Sequence, residues 1–290
     1  MQDEDPEFER RVVIAGVGLI GGSIAAAVRE RFPDTKVIGV GRNAERLAAA
    51  ETAGLLTSWK LSDALSTEDF QTPALIVICL PVHMIAAEAV RLSALASDSV
   101  VITDAGSIKG SICAAIESDA AAAKSFVGSH PIAGGERGGF EHAEETLFEG
   151  RVCVVTPGRC ETGTARVKHF WKSIGCRILE MSPDDHDRVL ALTSHLPHVM
   201  AAATALAVGE EHLDMTGSGF RDNTRIAAGD PGIWQGILAG NREQVVSALQ
   251  QAEAVLAKYR TALEQGDDDQ VHTLLSDARN IRTALQQPTT

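Results

Sequence analysis

The run Val12-Val13-Ile14 leads into Gly16-Val17-Gly18-Leu19-Ile20-Gly21, and the Ala-rich stretch 19–31 follows at once. A short, uninterrupted β-branched run suits a strand buried on both faces of a parallel sheet. Glycines at GxGxxG spacing let that strand turn sharply into a helix. The first permits the tight turn, the second lets a pyrophosphate approach the backbone, and the third lets the helix pack on the strand. The opening N–H groups of the helix then face an anion. The expectation is a nicotinamide dinucleotide held at Gly16, Gly18, Leu19, Ile20 and Gly21.

The same texture repeats. Val37-Ile38, Ala74-Leu75-Ile76-Val77-Ile78 and Val100-Val101-Ile102 are separated by Ala/Leu-rich stretches at 44–53, 83–95 and 108–123. Strand alternating with helix predicts an α/β fold with an N-terminal Rossmann-type, doubly wound parallel sheet. Val152-Cys153-Val154-Val155 and Arg177-Ile178-Leu179 flank a helical stretch at 164–173 and extend that sheet. Past Pro183 no strand pattern recurs, whereas 187–208, 244–264 and 271–286 have helical spacing. The expected division is 9–182, a dinucleotide-binding Rossmann-like domain, and 183–290, an all-α substrate and dimerisation domain. Its Ala/Leu-rich stripes suit burial against a second copy, so a homodimer is expected.

Composition narrows the partners. The 290 residues carry 26 Lys and Arg against 39 Asp and Glu, a net charge of −13. No basic stripe offers itself to nucleic acid or anionic lipid. The N-terminus is acidic where a signal peptide is basic, and no apolar run is expected to approach the roughly 18 residues of a membrane span. A cytoplasmic protein without a membrane partner is expected. Cys79, Cys113, Cys153, Cys160 and Cys176 contain no CxxC pair and read as reduced, mostly buried thiols.

Selectivity among dinucleotides is read at the end of the second strand, where a carboxylate bonds a ribose hydroxyl and an arginine accommodates a 2′-phosphate. Here the sequence is Val40-Gly41-Arg42-Asn43. Arg42 therefore favours NADP, with NAD possible.

Four further segments are too polar for scaffolding alone. They are Asp104-Ala105-Gly106-Ser107-Ile108-Lys109, the stretch 128–136 around His130-Pro131, Ser194-His195-Leu196-Pro197-His198, and the loop-like stretch 218–225 ending Asp222-Asn223-Thr224-Arg225. The first two fall at the carboxyl edge of the sheet, where open α/β folds bind ligands. Lys109 reads as a surface charge at a helix N-terminus, and His195 as a packing or capping histidine.

With these segments the chain resembles the prephenate and arogenate dehydrogenases of tyrosine biosynthesis over nearly its full length. GxGLxGxS stands at 16–23, GSxKG at 106–110, GxHPxAGxE at 128–136, SHLPH at 194–198 and GFxDxTR at 219–225. The resemblance implies oxidative decarboxylation: hydride leaves the carbon bearing a ring hydroxyl, carbon dioxide departs and the ring becomes aromatic. It also implies roles. His130 hydrogen-bonds the substrate hydroxyl and helps remove its proton, and Ser107 sits between the nicotinamide and that histidine. His198 positions substrate, Arg225 clamps a substrate carboxylate, and Glu136 gates or orients the pocket. The chemistry needs no metal, although His130, His195 and His198 are a conceivable zinc set. The competing readings are a β-hydroxyacid or imine reductase of similar plan and a non-catalytic NADPH-sensing protein.

Overall fold

The computed structural model describes residues 8–135 and 137–285. Among them, β1 (Arg11–Ala15), β2 (Lys36–Gly41), β3 (Ser58–Leu61), β4 (Ala74–Ile78), β5 (Val100–Asp104), β6 (Phe126–Pro131), β7 (Val152–Thr156) and β8 (Arg177–Glu180) form one sheet. Its order is β3-β2-β1-β4-β5-β6-β7-β8. The helices α1 (Leu19–Arg31), α2 (Ala44–Thr52), α3 (Val82–Ser93), α4 (Gly110–Glu117), α5 (Ala122–Ser125) and α6 (Glu161–Ser173) accompany it.

Strand periodicity builds two cores. Side chains alternate across a strand, so Val12 and Ile14 join Ile24, Phe170 and Trp171 on one face. Val13 and Ala15 join Ile85, Leu92 and Ile112 on the other. Every residue of β4 and β5 is buried, which accounts for their continuous apolar runs and confirms the doubly wound Rossmann-like domain.

The sheet departs from the all-parallel expectation at one place. β6 and β7 run antiparallel, with His130 opposite Val154, while β7 and β8 are parallel to each other. Among the described residues of the connection 132–151 the one helical element is the 3-10 turn Phe140–His142. A parallel return needs a long crossover, usually a helix, so the chain reverses at the same sheet edge. The stretch expected to be helical at 108–123 is also broken, into α4 and α5.

Beyond β8 the described residues hold α7 (Pro183–Leu190), a π-helical turn (Ala191–His195), α8 (Leu196–Val208), α9 (Ser218–Thr224), a 3-10 turn (Arg225–Ala228), α10 (Pro231–Gly240), α11 (Arg242–Gln265) and α12 (Asp268–Ala284). The stretch 218–225, expected as a loop, is helical almost throughout. One helix expected over 187–208 is interrupted at 191–195, just before Pro197, whose missing N–H cannot serve the Thr193 carbonyl.

Within the run Pro183–Val208 an 18-residue stretch reaches a mean hydropathy of 1.4, so the helix is long and apolar enough, by length and composition only, to cross a membrane. This departs from the expectation that no apolar run approaches that length; Thr, Ser and His punctuate the stretch without removing its apolar character. Its buried side carries His186, His195 and His198, which belong to the packed site described below.

By its contacts the chain divides after Arg242. In the smaller unit, α11 and α12 are joined at Gly266, whose φ of +70° suits glycine. The Asp267 side chain caps α12 by accepting the Gln270 N–H at 2.9 Å. Leu263, Leu275 and Ile281 are exposed.

Candidate active site

A cleft of about 670 Å³ opens at the carboxyl ends of β1, β2 and β4 and is lined by Gly16, Val17, Gly18, Arg42, Asn43, Arg46 and Ser62, among others. Gly16 has φ +100°, and a Cβ there would stand 2.5 Å from the Cys79 carbonyl oxygen. A Cβ on Gly21 would stand 2.1 Å from the Gly16 oxygen, whereas one on Gly18 would meet no protein atom within 4 Å. Two glycines therefore hold the turn closed and Gly18 keeps its outer face bare, which fits a pyrophosphate drawn against backbone. Leu19, Ile20 and Gly21 do not line this cleft; they form the first turn of α1, with Gly21 packed beneath it.

Arg42 is exposed on the cleft wall. Asn43 beside it caps α2 by accepting the Arg46 N–H at 3.0 Å. Arg46 pairs with Glu141 at 3.2 Å and lies over the Phe140 ring. The carboxylate of Glu88, also on the wall, is held by Arg91 through two hydrogen bonds of 2.7 and 2.8 Å.

Further along the same edge, β5 ends in a buried polar knot. The Lys109 ammonium meets the Asp104 carboxylate with both side chains fully buried, which overturns the surface reading of Lys109. Asp104 Oδ2 also accepts the Gly106 N–H at 2.9 Å, and Oδ1 accepts the Ser129 N–H at 3.0 Å. The knot thus fixes the turn bearing Ser107 against β6. Ser107 itself is half-buried, and among the described residues no hydrogen bond joins it to His130.

His130, near the end of β6, is 8% exposed. Its Nδ1 lies 2.8 Å from His186 Nε2, and His186 Nδ1 lies 2.7 Å from Asp187 Oδ1. Asp187 is in turn pinned by the N–H groups of Lys109 (2.7 Å) and Gly110 (2.8 Å). Burial lowers the His130 pKa well below its ordinary value, and His186, Lys109 and His195 push the same way. A neutral imidazole, able to take a proton, is the outcome.

The wall continues through Asn241, whose Nδ2 donates to the Asp187 carbonyl at 2.8 Å and lies 3.2 Å from His195 Nδ1. His195 meets the Trp234 ring edge-on, with centroids 6.3 Å apart. Trp234 stacks on His198 at 3.5 Å. His198 Nδ1 is buried without a hydrogen-bond partner. A Cβ on Gly229 would stand 2.7 Å from Trp234 Nε1, so the chain just past the Arg225–Ala228 turn packs on this pair. Arg225 opens that turn and is exposed. Glu136 lies outside the described residues.

The expected His130, His195 and His198 are therefore joined into one wall by His186, Asp187, Asn241 and Trp234, four residues that sequence reasoning passed over. For His186 and Asp187 the signal was helical spacing; Asn241 and Trp234 lie outside that run and carried none. Residues 186, 187, 190, 191, 195, 198 and 201 are all buried and trace one face of the run. The π turn at 191–195 sits in the middle of that face, a feature frequent at functional sites. Among the described residues no cluster of His, Cys, Asp and Glu is arranged to hold a metal ion. All five cysteines are free; Cys153 and Cys176 are buried and the other three only partly so.

A dinucleotide cleft and a polar histidine wall on one edge of a doubly wound sheet define a Rossmann-type oxidoreductase. Residues 24–180 match the sequence model of the prephenate dehydrogenase nucleotide-binding domain, and 182–277 match that of its dimerization domain. The cyclohexadienyl dehydrogenase of Zymomonas mobilis is 32% identical over 289 residues, 96% of each chain. The solved prephenate dehydrogenase of A. aeolicus, in complex with hydroxyphenyl propionate and NAD+, superposes with TM-score 0.88 and 31% identity, covering 97% of this chain and all of that one. Synechocystis arogenate dehydrogenase superposes with TM-score 0.79 and 27% identity, covering 95% and 99%. The chain belongs to the prephenate dehydrogenase family.

Proposed function

We propose that this chain oxidatively decarboxylates prephenate to 4-hydroxyphenylpyruvate, or arogenate to tyrosine. The observation that carries this reading is the buried His130 imidazole, kept neutral on the sheet edge that also bears the glycine cleft. The bound dinucleotide supplies the hydride acceptor. His130 takes the hydroxyl proton as hydride leaves the same ring carbon. The carbon–carboxylate bond then breaks, its electron pair enters the ring, and carbon dioxide leaves an aromatic phenolate that takes the proton back from His130 to become the phenol.

Around that step the other residues bind and orient. Ser107 supports the contact between His130 and the hydroxyl, and His198, braced by Trp234, offers its unpartnered Nδ1 to the substrate. Arg225 holds a substrate carboxylate with its planar fork, and Glu136 orients the pocket. Arg42 selects NADP over NAD, which is consistent with Arg46 and Ser62 beside it and with Arg91 occupying the Glu88 carboxylate.

We further divide the work at Ser182, with 9–182 binding the dinucleotide and 183–290 serving substrate and dimerisation in a cytoplasmic homodimer. Leu206, at 83% exposed, and Ile281, at 74%, are apolar groups that a second copy would cover. The test of the activity is an absorbance assay of NADP and NAD reduction with prephenate and with arogenate. Turnover of one or both, faster with NADP, is expected; reduction of NADP by simple hydroxy acids alone would overturn the reading.

A further inference from the structure

The hydrogen positions on the His130 and His186 imidazoles, which meet edge-on with centroids 5.1 Å apart, follow from their neighbours. The Asp187 carboxylate has no hydrogen to give: burial pushes its pKa up, but hydrogen bonds from His186 and from the Lys109 and Gly110 amides outweigh burial and hold it below the usual range. His186 Nδ1, 2.7 Å from Asp187 Oδ1, must therefore carry a hydrogen. Its Nε2 then presents a lone pair to His130 Nδ1 at 2.8 Å, so the hydrogen between the rings belongs to His130 Nδ1.

We infer that Asp187 and His186 are positioning residues that set the tautomer of His130, leaving its Nε2 with the lone pair that receives the substrate proton. This rests on the role proposed for His130 above. The opposite arrangement, with a hydrogen on His130 Nε2, would make that nitrogen a donor and useless as a base. It would either set two lone pairs against each other at 2.8 Å or require an extra proton on the pair. Burial disfavours that proton, as do His186, the Lys109 ammonium at the start of α4 and His195 in the π turn; Cys153 on β7 is a neutral thiol, and the acidic groups on this side are Asp187 and Asp104. Asp104 neutralises Lys109 in place.

The backbone contacts give the relay its rigidity. Asp187 is tied to the first N–H groups of α4, and Asn241 holds its carbonyl at 2.8 Å. The relay also spans the two sequence segments that carry His130 and the His195–His198 pair, so one carboxylate orients both the base and the helix beside it.

The test uses the full-length chain with 15N-labelled histidine, the His130 signals being assigned with His130→Asn. In the wild type His130 is expected as the Nδ1–H tautomer. Asp187→Asn can turn its amide N–H toward His186, reversing both hydrogens, and is expected to show His130 as the Nε2–H tautomer. Its kcat is expected to fall about a hundredfold or more, as the equivalent change does in the Ser-His-Asp triad. The substrate KM and the NADP dissociation constant should stay within about threefold, and the acid limb of kcat/KM should move to lower pH with the loss of the negative charge. A merely structural residue would lower cofactor affinity or thermal stability without moving that limb. Should Asp187→Asn fail to fold, His186→Phe keeps the volume and removes the relay, and a mixture of His130 tautomers with a lowered kcat is then expected. A wild-type Nε2–H tautomer, or either variant within threefold of wild-type kcat, overturns the inference. The tautomer is read without substrate, so failure of the wild type to turn over prephenate or arogenate would count against the proposed function alone.

Discussion

The Lys109 ammonium and the Asp104 carboxylate face each other with no exposed surface on either side chain. Through Asp104 the pair ties the end of β5 to Gly106 and to Ser129 of β6. Breaking a buried pair by removing one partner leaves an uncompensated charge and costs about 3–5 kcal/mol. Lys109→Met is expected to lower the unfolding free energy by about that much in urea titrations. A loss under about 1 kcal/mol, typical of exposed pairs, would contradict the burial.

The glycine turn separates folding from binding. Gly16→Ala places a Cβ 2.5 Å from backbone at a φ of +100° and should lower both melting temperature and cofactor affinity. Gly18→Ala meets no protein atom within 4 Å. It should keep the wild-type melting temperature and lose roughly tenfold or more in dinucleotide affinity, measured by fluorescence titration. Equal effects of the two substitutions would contradict this division.

Arg42→Ala should weaken NADP about tenfold more than NAD, because only NADP carries the 2′-phosphate that the guanidinium meets. Isothermal titration with both dinucleotides reads this directly. Equal weakening of the two would assign Arg42 to another part of the cofactor.

Acid should destabilise the fold in two stages. Burial lowers the His195 pKa from 6.5 to about 4, with Asp187 opposing and His186 and His198 reinforcing. The unfolded chain then binds more protons than the folded one between those values, so this stability is full above pH 6.5 and is lost as pH falls toward 4. His130, lowered further by burial, extends the same loss. Asp187, held below its ordinary 3.8, adds stability that is present above that value and lost at still lower pH. Urea midpoints measured across the acid range check this; a midpoint unchanged from neutral pH down to 4 would contradict it.

What was legible in the sequence was whatever local pattern alone determines. The apolar runs of β1, β4 and β5 are buried in full or nearly so, and the glycine spacing needs only its flanking strand and helix to be interpreted. β3, Ser58–Leu61, is a half-exposed edge strand and lacks a continuous apolar run. The stretch 218–225 holds glycines and polar residues that favour a loop, yet it forms α9 and opens the following turn without burying a residue. Lys109 and Asp187 were hidden for a different reason: Asp104 stands only five residues before Lys109, but the burial of both depends on the contact of the Lys109 N–H with Asp187, 78 residues away, a separation that no window of sequence spans. His186 and Asp187 stand in Pro183-Asp184-Asp185-His186-Asp187-Arg188, which has the composition of a solvated helix start. Only the extension of their spacing to Leu190, Ala191, His195 and His198 marks them as inward-facing.

If His130 takes the proton while hydride leaves, His130→Asn should lose turnover and keep the cofactor. The side chain is 8% exposed, and asparagine keeps a polar group of smaller size in its place. Steady-state rates of NADP reduction with prephenate and with arogenate should show kcat lowered about 10²–10⁴-fold, with the NADP dissociation constant essentially unchanged. A variant that keeps wild-type kcat, or that loses activity only because it no longer binds NADP, would contradict the account.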